Sequence, residues 1–295
     1  MNTRQLGPIV GATLLHHDIE YVVSSYQTNL GYTIVDENTV SREMALLWNT
    51  PELFGSKLVV LSAANGEAWL RVVEDPKAKA ATPLKSYGWM ALETNVKCVD
   101  TINNKLCDES FTVIGEPAYL QVSDAIKAMQ VVGPAGEVSY LTQINKDVPP
   151  FELPMTNHET AGLFIPVLCT PNREKSLAFY QQLNAADNGL SFDTKVTVLN
   201  KAWGHDIDHQ YPVATLQLDG KCLFEIDQVD NAAPLTTNID SLPSGIAMIS
   251  CHVKNIEQVA KKFNATMYKL EDSYYKGRSA ILLKGPFGEL IELMG

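Results

Sequence analysis

The last eleven residues, 285–295, read GPFGELIELMG and place one carboxylate, Glu292, between Ile291 and Leu293. A carboxylate alone in an apolar strand either points to solvent or serves a site, where it can hold a cation or transfer a proton. Two histidines in KAWGHDIDHQYP, His205 and His209, have the spacing that puts two imidazoles on one face of a helix. Here they fall in a Gly- and Asp-containing connection between strands, where that spacing carries no such meaning. One of them reaches a site only if this loop lies over a cavity mouth. The five cysteines, Cys98, Cys107, Cys169, Cys222 and Cys251, are unclustered and form no CxxC, so neither a zinc knuckle nor a disulfide framework is indicated. No GxSxG, P-loop or dinucleotide fingerprint is present.

The elements that position such residues emerge from a repeat. Residues 133–143, GPAGEVSYLTQ, match 285–295, GPFGELIELMG, at an offset of 285 − 133 = 152. DIEYVVSSYQTNL (18–30) resembles NREKSLAFYQQLN (172–184), with Tyr26 matching Tyr180 at 180 − 26 = 154. GWMALETNVKCVDTINNKL (88–106) resembles GIAMISCHVKNIEQVAKKF (245–263) at 245 − 88 = 157. Three matches in order at nearly constant offset mean two copies of one unit.

Each copy divides again. Ile19, Val22, Val23, Tyr26 and Leu30 have helical spacing, with Asp18 as N-cap and Gly31 as C-cap. An apolar run, IVGATLL, precedes this helix, and three strand-like runs, YTIVDENTV, KLVVLSA and AWLRVVE, follow it. The same order recurs from GWMALETNV, FIPVLCT and IAMISCHVK, so the chain reads as four βαβββ modules. The two GPxGE segments read as hairpin turns ahead of strands.

Four such modules, the helix residues Asp18, Glu20, Tyr26, Leu30, Gly31 and Tyr32, and the closing Gly285, Pro286, Gly288, Glu289, Ile291, Glu292 and Leu293 resemble the vicinal oxygen chelate superfamily. That superfamily includes glyoxalase I, bleomycin-resistance proteins and extradiol dioxygenases. The resemblance implies an α+β fold in which module pairs form two tandem half-open barrels, 1–146 and 160–295, joined by the Pro-rich segment 147–159. It also implies a divalent metal in a barrel mouth, held by the first strand (often His) and the last strand (often Glu) of each module.

Counting from the first helices, the first-strand positions fall at Gly11, Ala91, Ile165 and Met248, to within a residue or two. The last-strand positions fall at Arg71, Tyr140, Glu225 and Glu292, and the offsets 225 − 71 = 154 and 292 − 140 = 152 agree with the repeat. The first half thus offers no ordinary metal ligand. The second keeps Glu225 and Glu292 without histidine. No cofactor is expected, beyond a divalent metal weakly held by Glu225 and Glu292. Without a metal, the two glutamates are candidates for an acid–base pair. Arg71 and Tyr140, with Trp89 and Met248, are candidates for binding an anionic or carbonyl-bearing ligand.

The formal net charge of −11, with no basic stripe, argues against nucleic acid. No signal-peptide pattern and no apolar run of membrane-spanning length appears, so the expected location is cytoplasmic. The expected function is binding of a small organic molecule in a sheet-lined cavity, for sequestration or for metal-free lyase or isomerase chemistry. The alternative is a metal-dependent lyase, epimerase or extradiol-type dioxygenase using the second half. Either a monomer or a homodimer is compatible with a duplicated chain.

Overall fold

Helix α1 (Ile19–Leu30) begins where Asp18 accepts a hydrogen bond from the Tyr21 amide at 2.9 Å, and ends at Gly31 in the left-handed region (φ 67°). Both caps are as the sequence predicts. In this computed structural model the described residues are 4–106, 109–120, 123–186, 189–235 and 241–295, so Cys107 lies outside them. The first module contains β1 (Leu6–His16), α1, β2 (Thr33–Thr39), α2 (Arg42–Trp48), β3 (Lys57–Ser62) and β4 (Ala68–Glu74). The second contains β5 (Gly88–Val96), α3 (Val99–Lys105), β6 (Thr112–Leu120), β7 (Ser123–Val132) and β8 (Val138–Ile144).

The third repeats the first, with β9 (Thr160–Thr170), α4 (Arg173–Asn184), β10 (Gly189–Thr194), α5 (Thr197–Trp203), β11 (Tyr211–Gln217) and β12 (Leu223–Gln228). The fourth contains β13 (Gly245–Val253), α6 (Ile256–Phe263), β14 (Tyr268–Lys269), β15 (Ser279–Lys284) and β16 (Leu290–Met294). The four-module reading therefore holds. Two short helices, α2 and α5, were not anticipated. Their apolar residues have helical spacing, Val40, Met44, Leu47 and Trp48 in one case and Val198, Leu199, Ala202 and Trp203 in the other. Runs of seven residues are short enough to be absorbed into a strand connection.

The strands make two eight-stranded sheets, ordered β14-β15-β16-β13-β1-β4-β3-β2 and β10-β11-β12-β9-β5-β8-β7-β6. Module one shares a sheet with module four through antiparallel β1 and β13; module two shares the other with module three through β5 and β9. Each sheet thus takes one module from either side of 147–159. The candidate residues regroup accordingly, with Arg71 joining Met248 and Glu292 while Tyr140 joins Glu225.

The main hydrophobic core runs along the faces covered by α1, α3, α4 and α6, and includes Tyr26, Trp69, Trp89, Tyr180 and Phe224. A second, separate core fills the concave face of the first sheet. It is built by Met44, Leu47 and Trp48 of α2 with Leu58, Val60, Val73, Tyr274 and Tyr275. Burying each large apolar side chain stabilises by about 1.5–3 kcal/mol, so this cup is packed as interior.

Each GPxGE turn closes an antiparallel hairpin, β7–β8 or β15–β16. Its glutamate folds back over the turn. Glu137 accepts from the Ala135 amide at 2.8 Å and the Tyr26 hydroxyl at 2.5 Å; Glu289 accepts from the Phe287 amide and the Tyr180 hydroxyl, both at 3.1 Å. The matching tyrosines and matching turns of the repeat are therefore partners in space. Burial lifts the Glu137 carboxyl to about 7, and raises Glu289 as well.

Candidate functional site

Strand register fixes which side chains share each cup. Opposite Arg71 on β4 stands Thr13, opposite Glu292 on β16 stands Ser250, opposite Tyr140 on β8 stands Glu93, and opposite Glu225 on β12 stands Val167. The first-strand positions counted from the helices, Gly11, Ala91, Ile165 and Met248, each lie two residues too early, one step along the same face. Two residues is the strand period, so the face was right and the level wrong. The error concealed Glu93, the acidic residue that the second cup adds.

In the first cup Arg71 and Glu292 are both fully buried and form an ion pair at 3.1 Å. Arg71 donates from Nε to Thr13 Oγ1 at 2.9 Å, from Nη1 to the Tyr275 hydroxyl at 2.9 Å, and from Nη2 to Met248 Sδ at 3.5 Å. Glu292 accepts from Trp48 Nε1 at 2.9 Å, from Ser250 Oγ at 2.7 Å, and from the Tyr275 hydroxyl. The guanidinium also lies over the rings of Tyr274 and Trp48, at 4.4 and 4.8 Å. Burial works against its charge, but Glu292 and then Tyr275 and Tyr274 more than offset this, and Arg71 is held ionised.

This cup therefore contains its own cation. A divalent metal does not fit beside it, because each Glu292 oxygen is already engaged and the neighbouring charge is positive. Met248 belongs to this network rather than to a ligand surface.

The second cup lacks such compensation. Glu93, Glu225, Asp227 and Tyr140 sit on one concave face spread over β5, β12 and β8. Thr142 donates to Glu93 at 2.7 Å. Tyr140 is 9% exposed and its hydroxyl has no hydrogen-bond partner; Asp227 is 0% exposed and neither of its oxygens meets a donor. Among the described residues none of the three carboxyls is ion-paired.

Burial, then the Glu225 charge, pushes Glu93 to about 8, and burial pushes Glu225 to about 7. Asp227 is raised by burial and by Glu225, and Tyr140 by burial and then by Asp227, Glu225 and Glu93. Glu225 and Asp227, two residues apart on one face of β12, lie in hydrogen-bonding reach of each other, and the Glu225 charge adds to burial in holding Asp227 protonated above the usual carboxylate range. Glu93 and Glu225 nevertheless stay half-buried, with part of each open to solvent.

Helix α5 covers this face from the β6 side, where Val198 meets Gly115 closely enough that a Cβ there would come within 3.2 Å. The Trp203 indole donates to the Leu84 carbonyl at 3.0 Å, and the Lys85 ammonium lies 4.0 Å over that ring. Asn200 bonds the carbonyls of Ile207 and His209 and so shapes the loop that carries the two histidines. His205 Nδ1 is 3.0 Å from the Tyr211 hydroxyl, and Tyr211 is raised to about 12 by burial and then by Asp227. One loop histidine thus reaches the cup through Tyr211.

Glu225 and Glu292 lie in different sheets and are not brought together, so they form no acid–base pair. Arg71 and Tyr140 are separated in the same way. Trp89 lies outside both cups. A register irregularity between Trp89 and Ala91 turns the indole to the helix-covered face, against Phe224 and Tyr180, where it donates to the Leu290 carbonyl at 2.7 Å. Among the described residues no three His, Cys, Asp or Glu side chains are disposed to hold one metal ion. No helix of the described residues is long and apolar enough to cross a membrane.

No protein-family model matches the sequence, and no curated protein matches it. Solved structures match it in fold. A glyoxalase I mutant from Zea mays is 11% identical with a TM-score of 0.61, covering 97% of this chain and 92% of that one. A Bacillus subtilis protein described as a candidate dioxygenase is 9% identical with a TM-score of 0.63, covering 99% and 86%. The cppA protein of Streptococcus pneumoniae is 12% identical with a TM-score of 0.52, covering 98% and 99%. The chain has the tandem, four-module α+β fold of glyoxalase I.

Proposed function

We propose that the chain binds a small organic molecule in the second cup, and that the first cup is a closed copy retained for stability. The contrast between the two polar clusters carries this reading. Arg71 and Glu292 satisfy one another among fixed donors, whereas the Tyr140 hydroxyl is buried without a partner, Asp227 is buried against another acid, and Glu93 and Glu225 are half-buried. Unpaired buried polar groups cost about 1–3 kcal/mol each, an expense that makes sense where a ligand supplies the missing partner. Glu225 and Asp227, both raised and within hydrogen-bonding reach of each other, can also pass a proton to or from a bound molecule, the step a metal-free lyase or isomerase needs.

Paired amide substitutions test this through unfolding free energies at pH 8. Glu225→Gln removes an uncompensated charge and Asp227→Asn removes the acid beside it, and each is expected to stabilise by about 1–2 kcal/mol, as at sites built for function. Glu292→Gln strands the Arg71 charge and is expected to destabilise by about 3–5 kcal/mol. If Glu225→Gln costs as much as Glu292→Gln, the second cluster is structural and the reading fails.

A further inference from the structure

The repeat supplies its own template for what the second cup is missing. Position for position, Arg71 corresponds to Glu225 (225 − 71 = 154) and Glu292 to Tyr140 (292 − 140 = 152). In the first cup the chain's own cation occupies the centre of the concave face, gathered by a carboxylate and by hydroxyls from Thr13 and Tyr275. In the second cup a carboxylate replaces the arginine, Glu93 stands at the level of Ser250, and Asp227 adds a third acid. The cation is gone, tyrosine stands in place of its carboxylate, and three acids occupy other positions of the same face.

We infer that the second cup binds the primary ammonium group of a small organic molecule, its three N–H donors taken by Glu93, Glu225 and Asp227. This rests on the ligand-binding reading of the cup given above. One observation besides the acids points to a ligand. The Tyr140 hydroxyl, nine-tenths buried among the three carboxyls, has no hydrogen-bond partner. An –NH3+ group offers three donors and no acceptor, which matches three acceptors. Its N–H···O contacts of about 2.7–2.9 Å close at longer range than metal–oxygen bonds of about 2.0–2.6 Å.

Ile165, Val167 and Val213 beside the acids provide apolar wall for a hydrocarbon stem. The other titratable groups near Asp227 are Cys169 and Tyr211, with His205 behind Tyr211, and none brings a permanent positive charge.

Calorimetric titration at pH 8 of the full chain tests this with ethylamine, butylamine, putrescine and phenethylamine, each beside its alcohol isostere, and with Mn2+. At least one amine is expected to bind tenfold or more tightly than its alcohol. The Glu225→Gln/Asp227→Asn double variant is expected to lose at least tenfold in amine affinity while keeping the wild-type circular dichroism. Should that variant misfold, Tyr140→Phe and Glu93→Gln serve, each expected to weaken the amine and not the alcohol.

Equal binding of amine and alcohol, no amine binding, or Mn2+ binding that amines do not displace would each overturn the inference. If the single amide variants still stabilise the protein in those cases, only the ammonium assignment falls and the cup remains a ligand site.

Discussion

Arg71 and Glu225 occupy matching places in the two repeats and carry opposite charges. In the first cup that charge meets Glu292; in the second, three acids face one another, and burial suppresses ionisation. The consequence is a pH dependence of stability with a definite sign. Glu93 is raised to about 8 and Glu225 to about 7, so the folded chain keeps protons that the unfolded chain has released from about pH 5 upward. Stability is therefore expected to fall as pH rises from about 5 through 8, and to stay low above that window. Glu137, at about 7, adds in the same direction. Glu93→Gln should flatten the dependence, removing roughly 2–4 kcal/mol of the loss between pH 5 and 8.5. Urea midpoints at the two pH values in both proteins measure this, and parallel curves for wild type and variant would show that Glu93 is ordinary in the folded state.

At the scale of elements, the turns and the inserted short helices do different work. The GPxGE turns bind each hairpin to the first helix of the same repeat, through Tyr26 and Glu137 or Tyr180 and Glu289. Their first glycines are needed for space, since a Cβ at Gly133 or Gly285 would stand 2.1 or 2.0 Å from the glutamate oxygen above it. Gly133→Ala is expected to displace the Glu137 carboxylate and cost about 1–3 kcal/mol, measurable by thermal unfolding. In a Glu137→Ala background the same substitution should cost much less, because nothing remains to collide with. Helices α2 and α5 decide access instead. The first buries Trp48 onto Glu292 and closes its cup; among the described residues no side chain of the second is hydrogen-bonded or ion-paired to the acids of its own cup.

The whole molecule is knit across its repeats. Helix-to-turn bonds run within 1–146 and within 160–295, while both sheets pair a module of one half with a module of the other. Cleavage within 147–159 should therefore leave a nicked complex that stays associated and folded. Separately produced 1–146 and 160–295 should each expose the sheet edges β1 and β5 or β9 and β13, and regain native circular dichroism when mixed. Two fragments that fold and stay apart on size exclusion would show that the cross-repeat sheets are not needed for stability.

Module count, helix caps, hairpin turns and the inward face of each last strand were legible in the residues, because periodicity, cap chemistry and the doubled motif are local signals. Which modules share a sheet was not, since β1 pairs with β13 over more than two hundred residues and no local pattern encodes such a partner. The level along each first strand followed from that pairing, and Glu93 was missed with it. The reversal of Trp89 depends on a bulge, and the meeting of Arg71 with Glu292 depends on a cross-repeat sheet. Local propensities write the parts list; long-range pairing decides which charge lies beside which, and hence which cup is sealed and which remains short of a cation.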